Sequence, residues 1–446
     1  MTASAEATDY HRALAAIAAR GRFGIRLGLG RTRALLAALG DPQREVRGAL
    51  VAGTNGKGSV LALAGSALRA AGSRVGETPK PHLVSYRERV AVDGHPISPA
   101  DFTRHVEAVL AVADRVARRH GEPTEFELLT AVVFRHFAES DLDVALVEVG
   151  LGGRLDATHA WDGGVAAVTN VALDHTDRLG STIAAIAREK AAIIVRGDRA
   201  VTGADGEALA IIRRRARRLG VSLTEVRAAP LLGWDRDGLT VELPRLGAVR
   251  VGLRGRHQAA NVAVADALLD ALEAAGIATA DLEARRAGYA AATWPGRLEL
   301  LTVDSDEILL DGAHNPAGAA ALAQAIDDLR PFLAPGPLGF VVASMADKDV
   351  DGIIDALAQS REIDGATIIA TTLDAARAMP ADALAERWRA RLGERARVEW
   401  QADPIAALEM ARRLAGPTVV AGSLYLVGAV RAHLVDDPEL RDPPAS

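Results

Sequence analysis

The chain has 446 residues, of which 49% are hydrophobic and 25% charged, and its formal net charge is −6 at pH 7. This composition is typical of a globular protein large enough for two domains, and the negative charge argues against a nucleic-acid-binding surface. The lack of cysteine excludes disulfides and thiolate metal sites. The sequence shows no secretion signal and no apolar run of the ~18–20 residues that span a bilayer, so we expect a cytoplasmic protein with no membrane association.

A glycine-rich loop is the first feature along the chain. Residues 49–52 are an apolar run that predicts a strand, and residues 59–71 predict a helix. The segment between them is Gly53-Thr54-Asn55-Gly56-Lys57-Gly58-Ser59. Backbone N–H groups and a helix N-terminus would surround phosphate there, Lys57 would neutralise its charge, and the Ser59 hydroxyl could reach Mg²⁺. We therefore predict a mononucleotide site, although Val51 stands where the Walker pattern has glycine. The alternative is a glycine-rich β–α turn with no ligand.

Polar side chains follow the next two predicted strands. Residues 144–147 and 165–168 are continuous apolar runs, which is typical of buried parallel strands. Glu148 follows the first run, and Asn170, Asp174 and His175 follow the second. Since the carboxyl ends of parallel strands meet at one edge of a sheet, Glu148 is a candidate magnesium ligand beside the glycine-rich loop. Alternatively, its carboxylate pairs with an arginine.

Lysine is rare in a chain that uses arginine for most of its positive charge. Only four lysines occur, namely Lys57, Lys80, Lys190 and Lys348. Lys190 lies in an apolar helix for which Ser181 is the predicted N-cap and which runs to about Ile194. Its ammonium could reach water along an apolar stem. The alternative is a desolvated lysine with a lowered pKa, whose neutral amine could take up CO₂ and become a metal-binding carbamate.

The last third of the chain begins a second β/α series. Residues 239–251 alternate around turn residues, which favours an antiparallel edge. Trp294-Pro295-Gly296 breaks both helix and strand and marks a domain boundary. Apolar strands are predicted beyond it at residues 308–310, 340–342, 367–369 and 419–420. We predict an α/β protein with domains at residues 1–296 and 297–446, the second smaller and doubly wound.

Seven segments, in order, resemble the folylpolyglutamate synthase/dihydrofolate synthase family of the Mur ligase superfamily. They are GTNGKGS at Gly53, PHLVSYRERV at Pro81, EVGLGGRLDAT at Glu148, NVALDHTDRLGSTIAAIAREKA at Asn170, GRHQAAN at Gly255, PGRLE at Pro295 and LDGAHNPAG at Leu310. The resemblance spans about residues 22–430. It implies a P-loop-containing Mur-ligase-like central domain and a smaller Rossmann-like C-terminal domain. The implied activity is ATP-dependent joining of L-glutamate to dihydropteroate or to folate polyglutamates through an acyl phosphate, by a monomer with small-molecule substrates.

The resemblance also assigns roles to matching positions. ATP would contact Asn55, Gly56, Lys57, Gly58, Ser59, Asn261, Arg297 and Asp311. Two magnesium sites would use Ser59, Glu148, His175 and Lys190, with Lys190 at the position of the family's carbamylated lysine. Lys57, His175 and Lys190 are the implied catalytic residues. The pterin-bearing substrate would lie against Ile25, Arg26, Leu27, Thr124, Phe126, Glu127, Leu155, Asp156 and Ala157. L-Glutamate would bind near the domain cleft at Arg89, His314 and Ser423.

Lys80 departs from the family pattern at the first magnesium site. The family usually has Thr-Ser before Pro-His-Leu, and that serine is a metal ligand, whereas this chain has Pro79 and Lys80. Either Thr78 supplies the hydroxyl instead, or the Lys80 ammonium replaces part of the ion's charge. We therefore include Lys80 among the candidate residues of the metal site.

Three other functions compete with this one. A P-loop kinase or NTPase would release ADP without glutamate, and it would not need the second β/α domain. A nucleotide-gated switch would bind nucleotide without glutamate-dependent turnover. Another Mur-type ligase would join an amino acid to a different carboxylate, such as a cell-wall precursor or a modified folate-like cofactor.

Overall fold

The computed structural model describes residues 3–23, 26–375 and 377–444, and the chain divides into two compact units. The first unit comprises the residues up to Ala228, Ala260–Tyr289 and the residues from Pro438 onward. The second comprises Ala229–Ala259 and Ala290–Asp437. The second unit is therefore discontinuous in sequence, and its longer segment starts close to the predicted boundary at Gly296. Among the described residues, no helix combines the length and the apolar character needed to cross a membrane.

In the described part of the chain, the first unit is built on a mostly parallel sheet. Its eight strands lie in the order β4-β3-β2-β5-β1-β6-β7-β8. They are β1 (Gly48–Ala52), β2 (Val75–Thr78), β3 (Ala91–Val92), β4 (His95–Pro96), β5 (Val144–Glu148), β6 (Gly164–Val168), β7 (Arg199–Thr202) and β8 (Ser222–Glu225). The pairs β2–β3 and β3–β4 are antiparallel, and the other pairs are parallel. Because β2, β5, β1 and β6 are neighbours, the loops that follow them share one edge of the sheet.

Ten described helices accompany this sheet. They are α1 (Ala3–Ala18), α2 (Gly30–Ala38), α3 (Lys57–Ala70), α4 (Pro99–His120), α5 (Glu125–Ala138), α6 (Thr176–Leu179), α7 (Ile183–Ala191), α8 (Gly206–Leu219), α9 (Gln258–Ala274) and α10 (Leu282–Ala291). Short 3₁₀ turns at Tyr86–Arg89 and Ala157–Ala160 also belong to this unit. Large buried side chains such as Phe102, Phe134 and Trp161 fill its core.

The second unit carries two separate sheets of described residues. One is an antiparallel sheet in the order β11-β10-β9, formed by β9 (Leu231–Asp235), β10 (Gly238–Leu243) and β11 (Gly247–Val251). The expected edge at residues 239–251 is thus antiparallel, but it pairs within its own small sheet. The other sheet has the order β12-β13-β17-β14-β15-β16. Its strands are β12 (Glu299–Val303), β13 (Asp306–Leu310), β14 (Gly339–Val342), β15 (Thr367–Ala370), β16 (Arg397–Trp400) and β17 (Thr418–Ala421).

The larger sheet of the second unit is parallel except for the β12–β13 hairpin. Its described helices are α11 (Pro316–Leu329), α12 (Val350–Leu357), α13 (Ala381–Leu392), α14 (Pro404–Arg412) and α15 (Leu424–Leu434). Alternating parallel strands and helices form the smaller Rossmann-like unit that the sequence predicts. The predicted α/β fold class is confirmed.

Two helix boundaries differ from the sequence-based expectation. The helix after the glycine-rich loop begins at Lys57 and not at Ser59, because Gly56 takes the left-handed conformation (φ 80°) that ends the loop. The next difference concerns α7, whose N-cap is Thr182 and not Ser181. The Thr182 hydroxyl accepts a hydrogen bond of 3.1 Å from the Ala185 N–H, and the helix ends at Ala191.

Candidate functional site

The glycine-rich loop is tied to the end of the neighbouring strand β6. The Thr54 N–H donates to the carbonyl oxygen of Asn170 (3.0 Å), and the Asn55 N–H donates to its side-chain oxygen (3.0 Å). The Thr169 hydroxyl donates to the Asn55 carbonyl at 2.6 Å. These bonds fix the loop at the start of α3, where the helix N-terminus and its dipole favour a phosphate.

Asn261 lies directly beside this loop. A Cβ atom added at Gly56 would come within 2.2 Å of the Asn261 side-chain oxygen, so only glycine permits this approach. Both residues are predicted nucleotide contacts, and the structure brings them together although they are far apart in sequence. Gly58 and Ser59 occupy the first turn of α3, where the Ser59 side chain is buried.

Lys57 folds back over the loop from the first residue of α3. Its ammonium donates to the carbonyl oxygens of Gly53 (3.2 Å) and Thr54 (3.1 Å). It also lies 3.7 Å from Oε1 of Glu148, the last residue of β5. The structure therefore places a cation and a carboxylate side by side where the sequence predicts phosphate and magnesium.

Lys190 is buried next to the same loop, with 4% of its surface exposed. Its Nζ atom donates to the Gly53 carbonyl at 2.8 Å, so the alternative of an ammonium in water is wrong. Burial, and then the nearby Lys57 charge, lower the pKa of Lys190 to about 7. A substantial fraction of neutral amine therefore exists at neutral pH.

Glu148 is a buried carboxylate with contacts on both of its oxygens. Its Oε2 accepts a hydrogen bond from the Lys80 N–H at 3.0 Å, while Oε1 faces Lys57. The Lys80 ammonium donates to the Glu148 carbonyl oxygen at 2.7 Å. The positive charges described beside Glu148 are those of two lysines, Lys57 and Lys80.

His175 stands at the start of the short helix α6, after β6. It adopts the left-handed conformation (φ 49°), and its side chain is 39% exposed, with Nε2 3.9 Å from an oxygen of Asp174. Across the part of the chain that the structure describes, no group of three or more His, Asp or Glu side chains is arranged to hold a metal ion. Magnesium commonly takes one or two protein ligands and completes its shell with phosphates and water. The Glu148 carboxylate fits that pattern, with the Ser59 hydroxyl in the first turn of α3 as a second oxygen donor, and His175 stays a predicted ligand.

A second cluster forms around Phe126, at the start of α5. A Cβ atom at Gly150 would lie 2.8 Å from the Phe126 ring and 3.1 Å from Oδ2 of Asp156, so this glycine lets the two side chains meet. Asp156 is buried, and it accepts hydrogen bonds from the N–H groups of Leu151 (2.8 Å) and Thr158 (3.0 Å). Its carboxylate thus also caps the 3₁₀ turn that contains Ala157. The sequence pattern did not indicate this structural task.

Thr124 and Glu127 form a capping box at the start of α5. The Glu127 carboxylate is also held by Arg31, whose Nε lies 3.0 and 2.9 Å from its two oxygens. Arg31 in turn donates to the Arg26 carbonyl at 2.8 Å. The sequence analysis missed Arg31, which ties the segment of Arg26 and Leu27 to this cluster. Ile25 lies outside the described residues.

Leu155 completes the same cluster by pairing backbone groups. Its carbonyl oxygen accepts a hydrogen bond of 3.3 Å from the Gly28 N–H. Segments that the sequence analysis assigned separately to the pterin-bearing substrate, around residues 26–27, 124–127 and 155–157, are therefore neighbours in the first unit.

Lys80 and Arg89 line a small cavity together with Phe126. The Lys80 ammonium lies 4.7 Å from the centroid of the Phe126 ring. Burial, opposed by the charges of Asp156 and Glu148, lowers the pKa of Lys80 to about 8, so the side chain stays mainly cationic at neutral pH. The Thr78 hydroxyl also faces this cavity; it is buried and has no hydrogen-bond partner in the described part of the chain.

Arg89 is held by His82, a residue that the sequence analysis did not single out. The Arg89 Nε donates to Nδ1 of His82 at 2.8 Å. Burial, and then the Arg89 charge, lower the pKa of His82 to about 3, which keeps the imidazole neutral and able to accept. Within the first unit, Arg89 therefore lies beside Lys80 and Phe126, while its predicted role in binding L-glutamate stays a prediction.

The second unit brings together the predicted residues near the ends of β13 and β17. Asp311 accepts hydrogen bonds from the N–H groups of Leu298 and Ala313, each at 2.9 Å. A Cβ atom at Gly312 would lie 2.2 Å from a terminal nitrogen of Arg297. Burial raises the pKa of Asp311, and the neighbouring Arg297 charge opposes that rise.

His314 and Ser423 follow these two paired strands. The His314 ring nitrogen Nδ1 lies 2.8 Å from the Gly312 carbonyl oxygen, and Ser423 is the buried N-cap of α15. The Ser423 hydroxyl accepts a hydrogen bond from the Tyr425 N–H at 3.2 Å. As with Asp156, a residue predicted to bind substrate also has a local structural task.

Two family models match the chain. The "Mur ligase middle domain" matches residues 51–269, and the "Dihydrofolate synthetase, C-terminal domain" matches residues 297–433. A similar sequence is the dihydrofolate synthase/folylpolyglutamate synthase of Mycobacterium tuberculosis, which is 37% identical over 92% of this chain and 91% of its own length.

Two solved structures are also similar. The M. tuberculosis folylpolyglutamate synthase complexed with ADP has a TM-score of 0.84 and 34% identity, covering 97% of this chain and 99% of that one. A bifunctional folylpolyglutamate synthase/dihydrofolate synthase with Mn, AMPPNP and L-glutamate bound has a TM-score of 0.79 and 30% identity, covering 95% of this chain and 98% of that one.

Proposed function

Because the chain belongs to the folylpolyglutamate synthase/dihydrofolate synthase family of the Mur ligases, and is an ATP-dependent glutamate ligase, we propose that its substrates are dihydropteroate, folates that already carry glutamate, or both. The observation that carries this proposal is the meeting of Lys57, Lys190 and Glu148 around the Gly53 loop. A kinase, a switch or an NTPase would not account for the match of the second unit to the dihydrofolate synthetase C-terminal domain.

The proposed reaction uses the loop to activate a carboxylate. The substrate carboxylate attacks the γ-phosphorus of ATP, its bond to the β-phosphate oxygen breaks, and an acyl phosphate and ADP form. The amine of L-glutamate then attacks the acyl carbon, inorganic phosphate leaves, and the amine loses a proton as the amide forms. Lys57 would hold the β- and γ-phosphates in line for the first step, since its ammonium already lies over the loop.

Magnesium would neutralise phosphate charge and polarise the γ-phosphate when bound. We propose Ser59, Glu148 and His175 as its protein ligands. We also propose that Lys190 carries a carbamate, formed when its neutral amine adds to CO₂ and loses a proton. The support is its burial, its lowered pKa and its position at the Gly53 carbonyl. The anionic carbamate would add the oxygen donors that hard cations prefer.

Lys80 is proposed as a fixed positive charge in the metal site. Its backbone N–H donates to the Glu148 carboxylate and its ammonium donates to the Glu148 carbonyl oxygen, so the ammonium lies at the end of β5, where a first magnesium ion is expected. An ammonium cannot ligate a metal ion, so Lys80 would substitute for part of that ion's charge. Thr78 is the alternative hydroxyl donor, because its oxygen is buried without a partner in the described part of the chain.

Substrate binding is proposed to use two groups of residues. Phe126 and Asp156, with Arg26, Leu27, Thr124, Glu127, Leu155 and Ala157 around them, would hold the pterin-bearing substrate, and Arg89 is added because it lines a cavity together with Phe126. His314 and Ser423 are proposed for L-glutamate. Asn55, Gly56, Gly58, Asn261, Arg297 and Asp311 are proposed for the nucleotide.

The deciding experiment measures ADP release by the purified protein. Dihydropteroate and tetrahydrofolate are supplied separately, each with and without L-glutamate. We expect ADP release that depends on both the pterin substrate and glutamate. ADP release that does not depend on glutamate would favour an NTPase. ADP release only when the carboxylate substrate is not a folate would favour another Mur-type ligase.

A further inference from the structure

The C-terminal segment Pro438–Pro444 contacts the part of the first unit that contains the residues proposed for the pterin-bearing substrate. It follows α15 of the second unit along the chain, yet it belongs to the first unit. The match to the dihydrofolate synthetase C-terminal domain ends at residue 433, so this segment lies beyond it. We therefore infer the role of this segment from its own contacts.

Arg87 is the residue that this segment holds most closely. Its side chain is 4% exposed, and its guanidinium donates to the carbonyl oxygens of Glu439 (2.7 Å) and Arg441 (3.2 Å). Its Nε donates to the Asp442 carboxylate at 3.1 Å. A further bond of 3.1 Å reaches the Ile97 carbonyl. Three of the four partners of this buried cation thus come from the C-terminal segment, and buried charges depend strongly on such partners.

Asp442 joins the segment to the same loop a second time. Its Oδ1 atom accepts a hydrogen bond of 2.7 Å from the Ser85 hydroxyl. The next residue, Pro443, places its carbonyl oxygen 2.6 Å from Nε2 of His11 on α1. The segment is therefore also held at its C-terminal end, beyond the residues that Arg87 contacts.

The loop that Arg87 anchors is held by side-chain hydrogen bonds and leads to the cavity lined by Arg89. The Glu88 carboxylate accepts hydrogen bonds from the N–H groups of Leu83 (2.9 Å), Val84 (2.7 Å) and Ser85 (2.6 Å). Two residues after Arg87, Arg89 lines the cavity beside Lys80 and Phe126. A displacement at Arg87 would therefore move the Arg89 guanidinium relative to the substrate.

We propose that residues Pro438–Pro444 act as a positioning strap, which holds Arg87 and through it sets the place of Arg89 and His82 in the pterin-substrate site. Arg87 touches no reacting atom and is a positioning residue. The expected change in KM rests on the proposed function. The contacts of the strap lie within the first unit and do not depend on that function.

The first test removes the strap by ending the chain at Asp437. Hydrogen exchange of residues 82–90, measured by mass spectrometry, should become faster, while exchange in β1 and α3 stays unchanged. The KM for the pterin-bearing substrate should rise about tenfold with little change in the KM for ATP, because displaced binding groups weaken that substrate alone. A synthetic peptide of residues 436–446 added in trans should reverse both effects, and a peptide with Asp442→Ala should not.

Full-length point variants keep the test decisive if the shortened chain fails to fold. Arg87→Ala and Asp442→Ala should reproduce the faster exchange and the higher KM, and Arg87→Lys should recover only part. Glu439→Gln is the matched control, because it keeps the carbonyl that Arg87 uses and changes a side chain that pairs with His95 at the surface. Unchanged exchange and unchanged KM in the shortened chain would overturn the strap. Faster exchange with no glutamate-dependent activity in the parent protein would instead leave the strap standing and refute the function.

Discussion

Lys190 shows at the scale of one residue how burial changes what a lysine can do. Its ammonium has exchanged water for the Gly53 carbonyl and lies close enough to Lys57 to be repelled by it. Retaining a buried cation in that place is costly, since desolvation favours the neutral amine. A neutral amine can react with CO₂, whereas an arginine at this position would remain a cation.

Lys190→Ala tests the proposed carbamate. We expect the variant to lose activity by two orders of magnitude or more, roughly the cost of losing one preorganised electrostatic group. A small carboxylic acid such as acetate or formate should restore part of the rate by occupying the space of the carbamate. The measurement is ADP release as a function of acid concentration, with Lys348→Ala as the control that neither loses activity nor responds to the acid. A high-resolution electron-density map with a bare ammonium in magnesium-soaked crystals would contradict the carbamate.

Lys80 provides the second prediction at this scale. If its ammonium supplies part of the charge of a first metal ion, Lys80→Ser should restore a hydroxyl ligand and make activity more steeply dependent on magnesium. Lys80→Ala should lose rate without that added dependence. The measurement is a magnesium titration of the initial rate for the parent protein and both variants. Superimposable titration curves would exclude Lys80 from the metal site, and Thr78 would then be the next residue to change.

At the scale of elements, the carboxyl ends of β2, β5, β1 and β6 build the phosphate half of the site. The continuous apolar runs of β1, β5 and β6 predict buried strands, whereas β2 and the order of the strands come from the structure. The motif residues Lys57, Glu148 and Lys190 could therefore be predicted together. Arg31 could not be predicted, because it contacts Glu127, which is distant in sequence. His82 could not be predicted either, because its contact with Arg89 depends on a local turn that has no sequence pattern.

The capping roles of two predicted substrate residues could not be predicted from the sequence either. Asp156 and Ser423 both matched family positions for substrate, yet each also accepts backbone N–H groups at the start of a helical turn. Short polar side chains serve caps and ligands equally well, so sequence alone does not separate the two tasks. A substitution of Asp156 would disturb the turn as well as any ligand contact, and a cleaner test must leave that carboxylate in place.

Gly150→Ala is that cleaner test of the Phe126 cluster. The new Cβ would fall 2.8 Å from the Phe126 ring, so the ring must move, whereas Oδ2 of Asp156, at 3.1 Å, has to shift by only a few tenths of an ångström. We expect the KM for dihydropteroate to rise by about tenfold, with a much smaller change in the KM for ATP. Gly233→Ala is a suitable control, because its added Cβ would meet nothing within 4 Å. An equal rise in both Michaelis constants would argue against a pterin site at Phe126.

At the scale of the whole molecule, the two-unit α/β architecture follows from alternating strands and helices, but the path of the chain between the units does not. Residues 229–259 belong to the second unit although they precede the predicted boundary, and the residues from Pro438 onward return to the first. Such excursions depend on long-range packing and carry no local pattern. The monomeric state likewise stays a prediction, which light scattering of the purified 46.6 kDa chain would test.

Nucleotide binding should stabilise the folded chain as a whole, and this gives the last prediction. A ligand that binds only the native state adds about 2.7 kcal/mol to the free energy of unfolding at a concentration of 100 times its Kd. ADP with magnesium should therefore raise the unfolding midpoint of the parent protein. Lys57→Ala removes the ammonium that lies over the loop, and Lys57→Arg replaces it with a planar fork that cannot keep both carbonyl contacts.

Both Lys57 variants should unfold near the parent midpoint without ligand, since the side chain is not part of a packed core, and both should gain much less from ADP. Lys348→Ala should gain as much as the parent. The measurement is denaturant or thermal unfolding with and without ADP and magnesium, followed by ADP release under substrate saturation. Stabilisation by ADP that survives in Lys57→Ala would place the nucleotide elsewhere. Loss of turnover with stabilisation intact would instead mean that Lys57 acts on the transferred γ-phosphate and contributes little to binding the nucleotide.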